Sequence, residues 1–209
     1  MKEKKATFSQ RFIAFILDIL IVGIASTIIT AVIPVSDAAN KLYTEQNNVA
    51  ENYVNGKTTM KEYANNMMDL SYDISKETGV VTIVSIVISL LYFVVYPTYK
   101  DGQTLGKKIL KIKIVKNNDT DLSMNDLLLR ACLNTSIFIN IISVCLVFFT
   151  NKQIYIPTSS FISVIWYLNV IISAFMIAFS QQKEGLHDKI AHTDVVMTNT
   201  VKEEEVCEN

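Results

Sequence analysis

An apolar stretch, FIAFILDILIVGIASTIITAVIPV, occupies residues 12–35 and decides the fold class. A helix rises about 1.5 Å per residue, so a run of this length crosses a hydrocarbon layer of about 30 Å. Further apolar segments of spanning length occupy residues 80–97, 127–149 and 160–180. Of the 209 residues, 50% are hydrophobic and 19% are charged. This sequence therefore predicts an all-α membrane protein with four transmembrane helices, and it excludes an ordinary soluble enzyme.

The distribution of lysine and arginine predicts the orientation. Basic residues cluster before the first segment, at positions 2, 4, 5 and 11, and six lysines lie between residues 100 and 116. The connection between the third and fourth segments offers only Lys152. Since basic loops stay in the cytoplasm, we expect both termini to be cytoplasmic and residues 36–79 to lie outside.

A basic start followed by an apolar run also describes a secretory signal, with Ser36-Asp37-Ala38 as a cleavage site. Signal h-regions are about 7–15 residues long, whereas this run is longer and contains Asp18. We therefore expect an uncleaved anchor. The cysteines at 132, 145 and 207 suggest neither a disulfide framework nor a metal cluster.

The connection at 36–79 is longer than a turn between neighbouring helices requires. Good helix formers on both sides of Asn55-Gly56 predict an outer helical hairpin that continues the first two spans. The alternative is a solvated, mobile loop.

Residues 111–116 alternate lysine with apolar side chains and run into a turn cluster, which predicts a short strand. Residues 193–197 offer a partner, so we expect a small strand pair at the cytoplasmic surface. The competing interpretation is an amphipathic interfacial helix over 105–115.

Three motifs resemble the landmarks of the RDD family of bacterial membrane proteins, in the same order along the chain. They are RFIAFILD at 11–18, GQTLGKK at 102–108 and GLHDKIA at 185–191. The resemblance maps the arginine and the first aspartate of the family to Arg11 and Asp18, and the second aspartate to Asp188. Two positions depart from the pattern, because Lys111 and His192 stand where glycine is common.

The resemblance implies one membrane domain over residues 1–200, followed by an acidic tail at 201–209, in the bacterial cytoplasmic membrane. Some family members look like monovalent cation/proton antiporters, and others look like accessory partners of larger membrane proteins. We expect small-ion transport, with a monovalent cation or a proton as cargo. The alternative is a non-catalytic accessory or regulatory protein that binds another membrane protein.

Asp18 is the most unusual residue, because a carboxylate in a spanning helix needs a partner, a proton or water. Arg11, Ala14 and Asp18 share one helix face, and Ala14 would let another helix approach closely. Arg130 is the expected ion-pair partner of Asp18, supported by Asn134. The pair is either structural, or Asp18 accepts a proton or a cation.

Two other site residues and both histidines have simple alternative explanations. Arg11 would snorkel to the headgroups, Asp188 would form a surface cap or an ion pair with a lysine, and His187 and His192 would be surface residues. The candidate polar site is thus Arg11, Asp18, Arg130, Asn134 and Asp188.

The sequence offers no phosphate-binding glycine loop, metalloprotease motif or nucleophile elbow, so we expect neither enzymatic activity nor a cofactor. A net charge of −1 argues against nucleic-acid binding. The expected partners are the lipid bilayer and either a homo-oligomer or another membrane protein, since four helices are few for a complete transport pathway.

Overall fold

The computed structural model describes residues 4–117 and 121–198, so the predicted acidic tail lies outside the described residues. The fold is mostly helical with one small sheet, as the sequence predicts. In chain order the elements are α1 Phe8–Thr30, α2 Asp37–Val54, α3 Met60–Glu77, α4 Gly79–Leu90, a π-helical turn Leu91–Val95, α5 Tyr96–Thr98, α6 Leu105–Ile109, β1 Ile112–Lys116, α7 Met124–Asn134, α8 Ile137–Phe149, α9 Lys152–Phe179, α10 Leu186–Ile190 and β2 Thr193–Met197.

Three helical stretches of the described chain are long and apolar enough to cross a membrane: Phe8–Thr30, Gly79–Thr98 and Lys152–Phe179. The third predicted span is instead broken into α7 and α8, which meet at an angle of 73°. The break falls at Thr135 and Ser136, and the Thr135 hydroxyl donates to the Ala131 carbonyl. The described residues therefore contain three continuous candidate spans, or four if the bent pair counts as one.

The long connection after α1 forms a helical hairpin, which confirms that prediction and overturns the mobile-loop alternative. Ser36 caps α2, and Thr59 forms a capping box with Glu62 at the start of α3. The turn between them contains Gly56 at φ 69°, a left-handed conformation that suits glycine. Only Thr78 separates α3 from α4, so the hairpin nearly continues into the second span.

The two predicted strands form an antiparallel pair, with Ile114 opposite Val195. Residues 105–115 are therefore not one interfacial helix, because α6 ends at Ile109 and β1 begins at Ile112. Lys5 adds a bridge to Val196 and extends the sheet toward the N-terminal segment. We call α6, β1, α10 and β2 the cap, and the end of the helix bundle that carries it the cap end.

The cap is built from two similar units. Each has a five-residue helix, a residue with positive φ and a five-residue strand: α6, Lys111 (φ 54°) and β1, then α10, His192 (φ 52°) and β2. Lys111 and His192 are the two positions that depart from the glycine of the family pattern. Left-handed backbone at both explains why glycine is common there.

The principal core lies where the cap meets the bundle. It contains Ile112 and Val195 from the sheet, Val94 from the second span, Leu127 from α7 and Ala14 from α1. The polar residues of interest are packed around this core, close to the cap end.

Candidate functional site

Asp18 is fully buried, but it does not pair with Arg130. Its carboxylate accepts hydrogen bonds from the Tyr92 hydroxyl at 2.7 Å, the Thr104 hydroxyl at 2.6 Å and the Gly106 amide at 2.8 Å. The Lys107 ammonium lies 3.6 Å from the same carboxylate. The predicted Asp18–Arg130 ion pair is therefore wrong, because the second span and the start of α6 supply the partners of Asp18.

Local backbone geometry brings these partners to Asp18. Tyr92 lies in the π-helical turn, and such turns often occur at functional sites. Thr104 precedes α6 as its N-cap, which points its hydroxyl and the Gly106 amide toward α1. A Cβ on Gly106 would overlap the Ala14 carbonyl and come within 2.7 Å of Asp18 Oδ1. The close approach predicted at Ala14 is confirmed, but the approaching helix is α6.

Asp188 pairs with both arginines of the predicted site. Its carboxylate has no solvent exposure and accepts from Arg11 Nη1 at 2.7 Å, from Arg130 Nη1 and from the Gly185 amide at 2.8 Å. Each arginine side chain is only 8% exposed. The surface interpretation of Asp188 and headgroup snorkelling by Arg11 are therefore both wrong.

The arginines also bind β2, so this ion-pair network joins the bundle to the cap. Arg130 Nη1 donates to the Thr193 hydroxyl at 2.8 Å, and Arg11 Nη2 donates to the Val195 carbonyl at 3.3 Å. Burial alone would raise the pKa of Asp188, but the charges of Arg130 and Arg11 hold it well below its usual value. Asp188 is therefore ionised at neutral pH.

His187 is buried and 4% exposed, which contradicts the prediction of a surface histidine. Its Nδ1 lies 2.8 Å from the Ser173 hydroxyl, and its Nε2 lies 3.6 Å from Asp188 Oδ1. Burial, followed by the positive charge of Arg130, lowers the pKa of His187 to about 3. The imidazole is neutral at pH 7, and an Nε2–H facing the Asp188 carboxylate fits this geometry.

Lys107 lies between Asp18 and the arginine network. Burial lowers its pKa to about 8, although the charge of Asp18 opposes this shift. The ammonium therefore remains mostly protonated at pH 7. Nearer the surface, Lys5 binds Glu184 at 2.6 Å and Asp194 at 2.8 Å, so those two acids have a partner of their own.

A polar track, which the sequence reasoning missed, runs along one face of α9. Its members recur every three or four residues, a spacing that places them on one side of a helix. They are Tyr155, Ser159, Ser163, Trp166, Asn169 and Ser173. The sequence contains this period, but the apolar residues between the polar ones made the segment read as a uniformly apolar span.

Contacts along the polar track show that this face points into the protein. The Tyr155 hydroxyl lies 3.1 Å from that of Ser143 in α8 and 3.2 Å from that of Ser75 in α3. Asn169 donates to the Leu133 carbonyl of α7 at 2.8 Å. Ser173 then contacts His187 of the cap. The polar track therefore leads from the hairpin end of the bundle to the ion-pair network.

A cavity of about 240 Å³ lies along the middle of this track, between α8 and α9. Ser159, Ser163 and Trp166 line one side, and Ser136, Asn140 and Ser143 line the other. Asn134, the remaining predicted site residue, lines a second cavity at the cap end with Arg130.

The fold and these clusters define a small multi-pass membrane protein with a cluster of buried charged groups at the cap end. The chain matches the RDD family model over residues 5–192 and belongs to that family. It is also similar to the uncharacterized protein YxaI of Bacillus subtilis (strain 168), with 30% identity over 194 residues that cover 93% of this chain and 98% of the relative. No solved structure matches it significantly.

Proposed function

We propose that this protein transports a small monovalent ion across the membrane. The observation that carries the proposal is the polar track of α9, which begins at Tyr155, passes the cavity between α8 and α9, and ends at Ser173 beside His187. Polar groups inside a membrane are costly and typically mark a pathway or a helix contact.

The chemistry of the cavity favours a singly charged ion. Its polar lining consists of hydroxyl, amide and indole groups from α8 and α9, with no carboxylate among the described lining residues. Divalent cations such as calcium and magnesium are bound with the help of carboxylates. Neutral oxygens and water suit an ion with one charge, which is also the cargo that the family resemblance suggests.

The charged groups at the cap end affect whether the transported ion is a cation or an anion. Arg11, Lys107 and Arg130 lie near the end of the polar track, whereas Asp18 and Asp188 are held by several donors each. Neither carboxylate is free to take a metal cation. We therefore assign Asp18 a structural role, and the transport assay must include chloride as well as sodium, potassium and protons.

The hydroxyl groups along the polar track also stabilise helix packing, and the experiment must distinguish that role from transport. Ser163 donates to the Ser159 carbonyl one turn earlier, and Ser143 and Tyr155 bond across the helices. Such bonds can hold helices together without any ion moving.

Ion flux should be measured with the purified full chain in proteoliposomes, one ion gradient at a time, against empty liposomes. Ser163→Leu places an apolar side chain in the cavity, and we expect it to abolish flux while the protein stays folded. Ser160→Leu is the matched control, because Ser160 is exposed and does not line the cavity, so its replacement should preserve flux. Native protein without flux for any of the four ions would overturn the proposal.

The orientation in the cell membrane belongs to the same proposal. We expect cytoplasmic termini, so a cysteine introduced at Asn48 in the hairpin should react with an impermeant reagent from outside, and one at Lys108 in the cap should not. The reverse labelling would place the cap outside. The mass of the reconstituted particle tests the homo-oligomer that the small number of helices predicts.

A second candidate is the accessory role, favoured by the hairpin itself. α2 and α3 carry an exposed Val54 and an exposed Met60 at the hairpin turn, with 81% and 62% of their surface accessible. A photo-crosslinker at Val54 should capture one membrane protein in native membranes if this role is correct. Loss of that adduct on replacing Met60 with a charged residue would support specific docking there, and the absence of any adduct would contradict it.

A further inference from the structure

A cavity of about 150 Å³ lies at the cap end, between α1, α7, α9 and the cap. Its charged lining comes from Arg11, Lys107 and Arg130. No carboxylate lines it among the described residues, because Asp18 and Asp188 lie behind these cations. Three cations therefore line the cavity, and with the two carboxylates behind them the cluster keeps a net charge of +1.

One of these cations has an unused donor. Arg11 Nε is buried and has no hydrogen-bond partner within the described chain, and the whole side chain is only 8% exposed. Leaving a charged donor buried and unpaired is destabilising, so the arrangement favours an acceptor from outside the chain. The Ser173 hydroxyl and the neutral His187 add polar groups to the same lining.

Apart from Asn134, the rest of the lining is apolar, and α1 contributes one wall of it. Phe8, Phe12 and Phe15 form this wall, and Phe8 and Phe12 are 37% and 52% exposed. Phe8 stacks on Phe12 with ring centroids 5.8 Å apart. A ligand for this cavity therefore needs an anionic group for the cations and a hydrocarbon portion that can lie along the phenylalanines.

We propose that this cavity binds the phosphate head group of an anionic phospholipid, with an acyl chain lying against Phe8 and Phe12. A cavity of about 150 Å³ holds a group the size of benzene, which is sufficient for a phosphate. Arg11, Lys107 and Arg130 supply the charge-assisted hydrogen bonds that phosphate recognition uses. This proposal goes beyond ion transport and does not depend on it.

Lipid binding should be measured by native mass spectrometry and thermal stability of the full chain in mild detergent. The probes are short-chain phosphatidylglycerol, phosphatidylcholine of the same chain length, and inorganic phosphate. We expect one tightly bound phosphatidylglycerol per chain, with phosphatidylcholine and inorganic phosphate each at least about tenfold weaker.

Two variants locate the lipid site. Lys107→Gln removes one cation and should weaken phosphatidylglycerol binding about tenfold, whereas Lys108→Gln, next to it but exposed, should not. Ala174→Phe fills the cavity without changing a charge and should abolish binding, whereas Ala178→Phe, one turn later and exposed, should not. The Ala174 pair keeps the test decisive even if Lys107→Gln fails to fold.

Three results would overturn the proposal. Equal affinity for the two phospholipids would show that the charges do not select the ligand. Inorganic phosphate bound as tightly as phosphatidylglycerol would make this a site for a free anion. Unchanged binding in both Lys107→Gln and Ala174→Phe would place the lipid elsewhere on the protein.

Discussion

Replacing Asp188 with asparagine should destabilise this protein more than any single substitution at its surface. The carboxylate is completely buried and neutralises two arginines, Arg11 and Arg130, whose side chains are each 8% exposed. Asparagine retains the approximate shape but removes the negative charge, so both guanidinium groups remain in place without a counter-ion.

The structure sets the size of the effect. Breaking a buried ion pair by removing one partner costs about 3–5 kcal/mol, and Asp188 takes part in two such pairs. We expect a loss of at least about 4 kcal/mol in the free energy of unfolding. The matched control is Asp73→Asn, because Asp73 pairs with Lys152 while 43% exposed, and an exposed pair contributes about 0–1 kcal/mol.

The assay is denaturant or thermal unfolding of the purified variants in detergent, extended to a double-mutant cycle. Because Asp188 serves two arginines, adding Arg130→Gln should recover only part of the loss, and adding Arg11→Gln as well should recover more. Because folding lowers the pKa of Asp188, its ionised carboxylate stabilises the folded state fully at pH values above the unfolded pKa of about 3.9. This stabilisation is lost as the pH falls through the pKa of the folded state. The loss should therefore be the same at pH 6 and pH 8. An Asp188→Asn protein no less stable than Asp73→Asn would refute the reasoning.

Three further predictions concern the cap. His187→Gln should make the protein less sensitive to acid. Burial holds the pKa of His187 at about 3 in the folded state, against 6.5 in the unfolded chain. Between pH 7 and pH 5 the native protein should therefore lose about 2 kcal/mol of unfolding free energy in thermal denaturation, whereas the variant should not. Gly106→Ala should lower the free energy of unfolding by about 1–3 kcal/mol in denaturant, because its Cβ would overlap the backbone of α1. Gly23→Ala, which has open space around it, should be neutral or stabilising. Equal effects of the two substitutions would contradict this reasoning. His192→Gly should stabilise by about 1 kcal/mol by relieving left-handed backbone at φ 52°, and a lower melting temperature would argue against that account.

The hydropathy pattern predicted the membrane segments and the alternation at 111–116 predicted the strand, because both depend on local spacing. The bend between α7 and α8 was missed, since the apolar composition continues through Thr135 and Ser136 and conceals the break. The hairpin was predictable from Asn55-Gly56 and the helix formers on either side.

The candidate site was predicted by residue type but not by pairing. Arg11, Asp18, Arg130 and Asp188 are all buried or in buried ion pairs, as charged residues within or beside spanning helices must be. The partner of Asp18 was wrong because Thr104 and Gly106 reach it through the fold of the cap, which depends on the pairing of β1 with the distant β2. Such long-range pairing leaves no trace in local spacing.

Since β2 follows every other element of the described chain, it sets the order in which these elements can be assembled. Arg11 and Arg130 are synthesised long before Asp188, and β1 has no strand partner until residues 193–197 leave the ribosome. Until Asp188 has been synthesised, the two arginines lack this counter-ion and must be stabilised by water or lipid headgroups. Closure of the cap therefore has to wait until residues 185–197 have been synthesised, however early the helices before them enter the membrane.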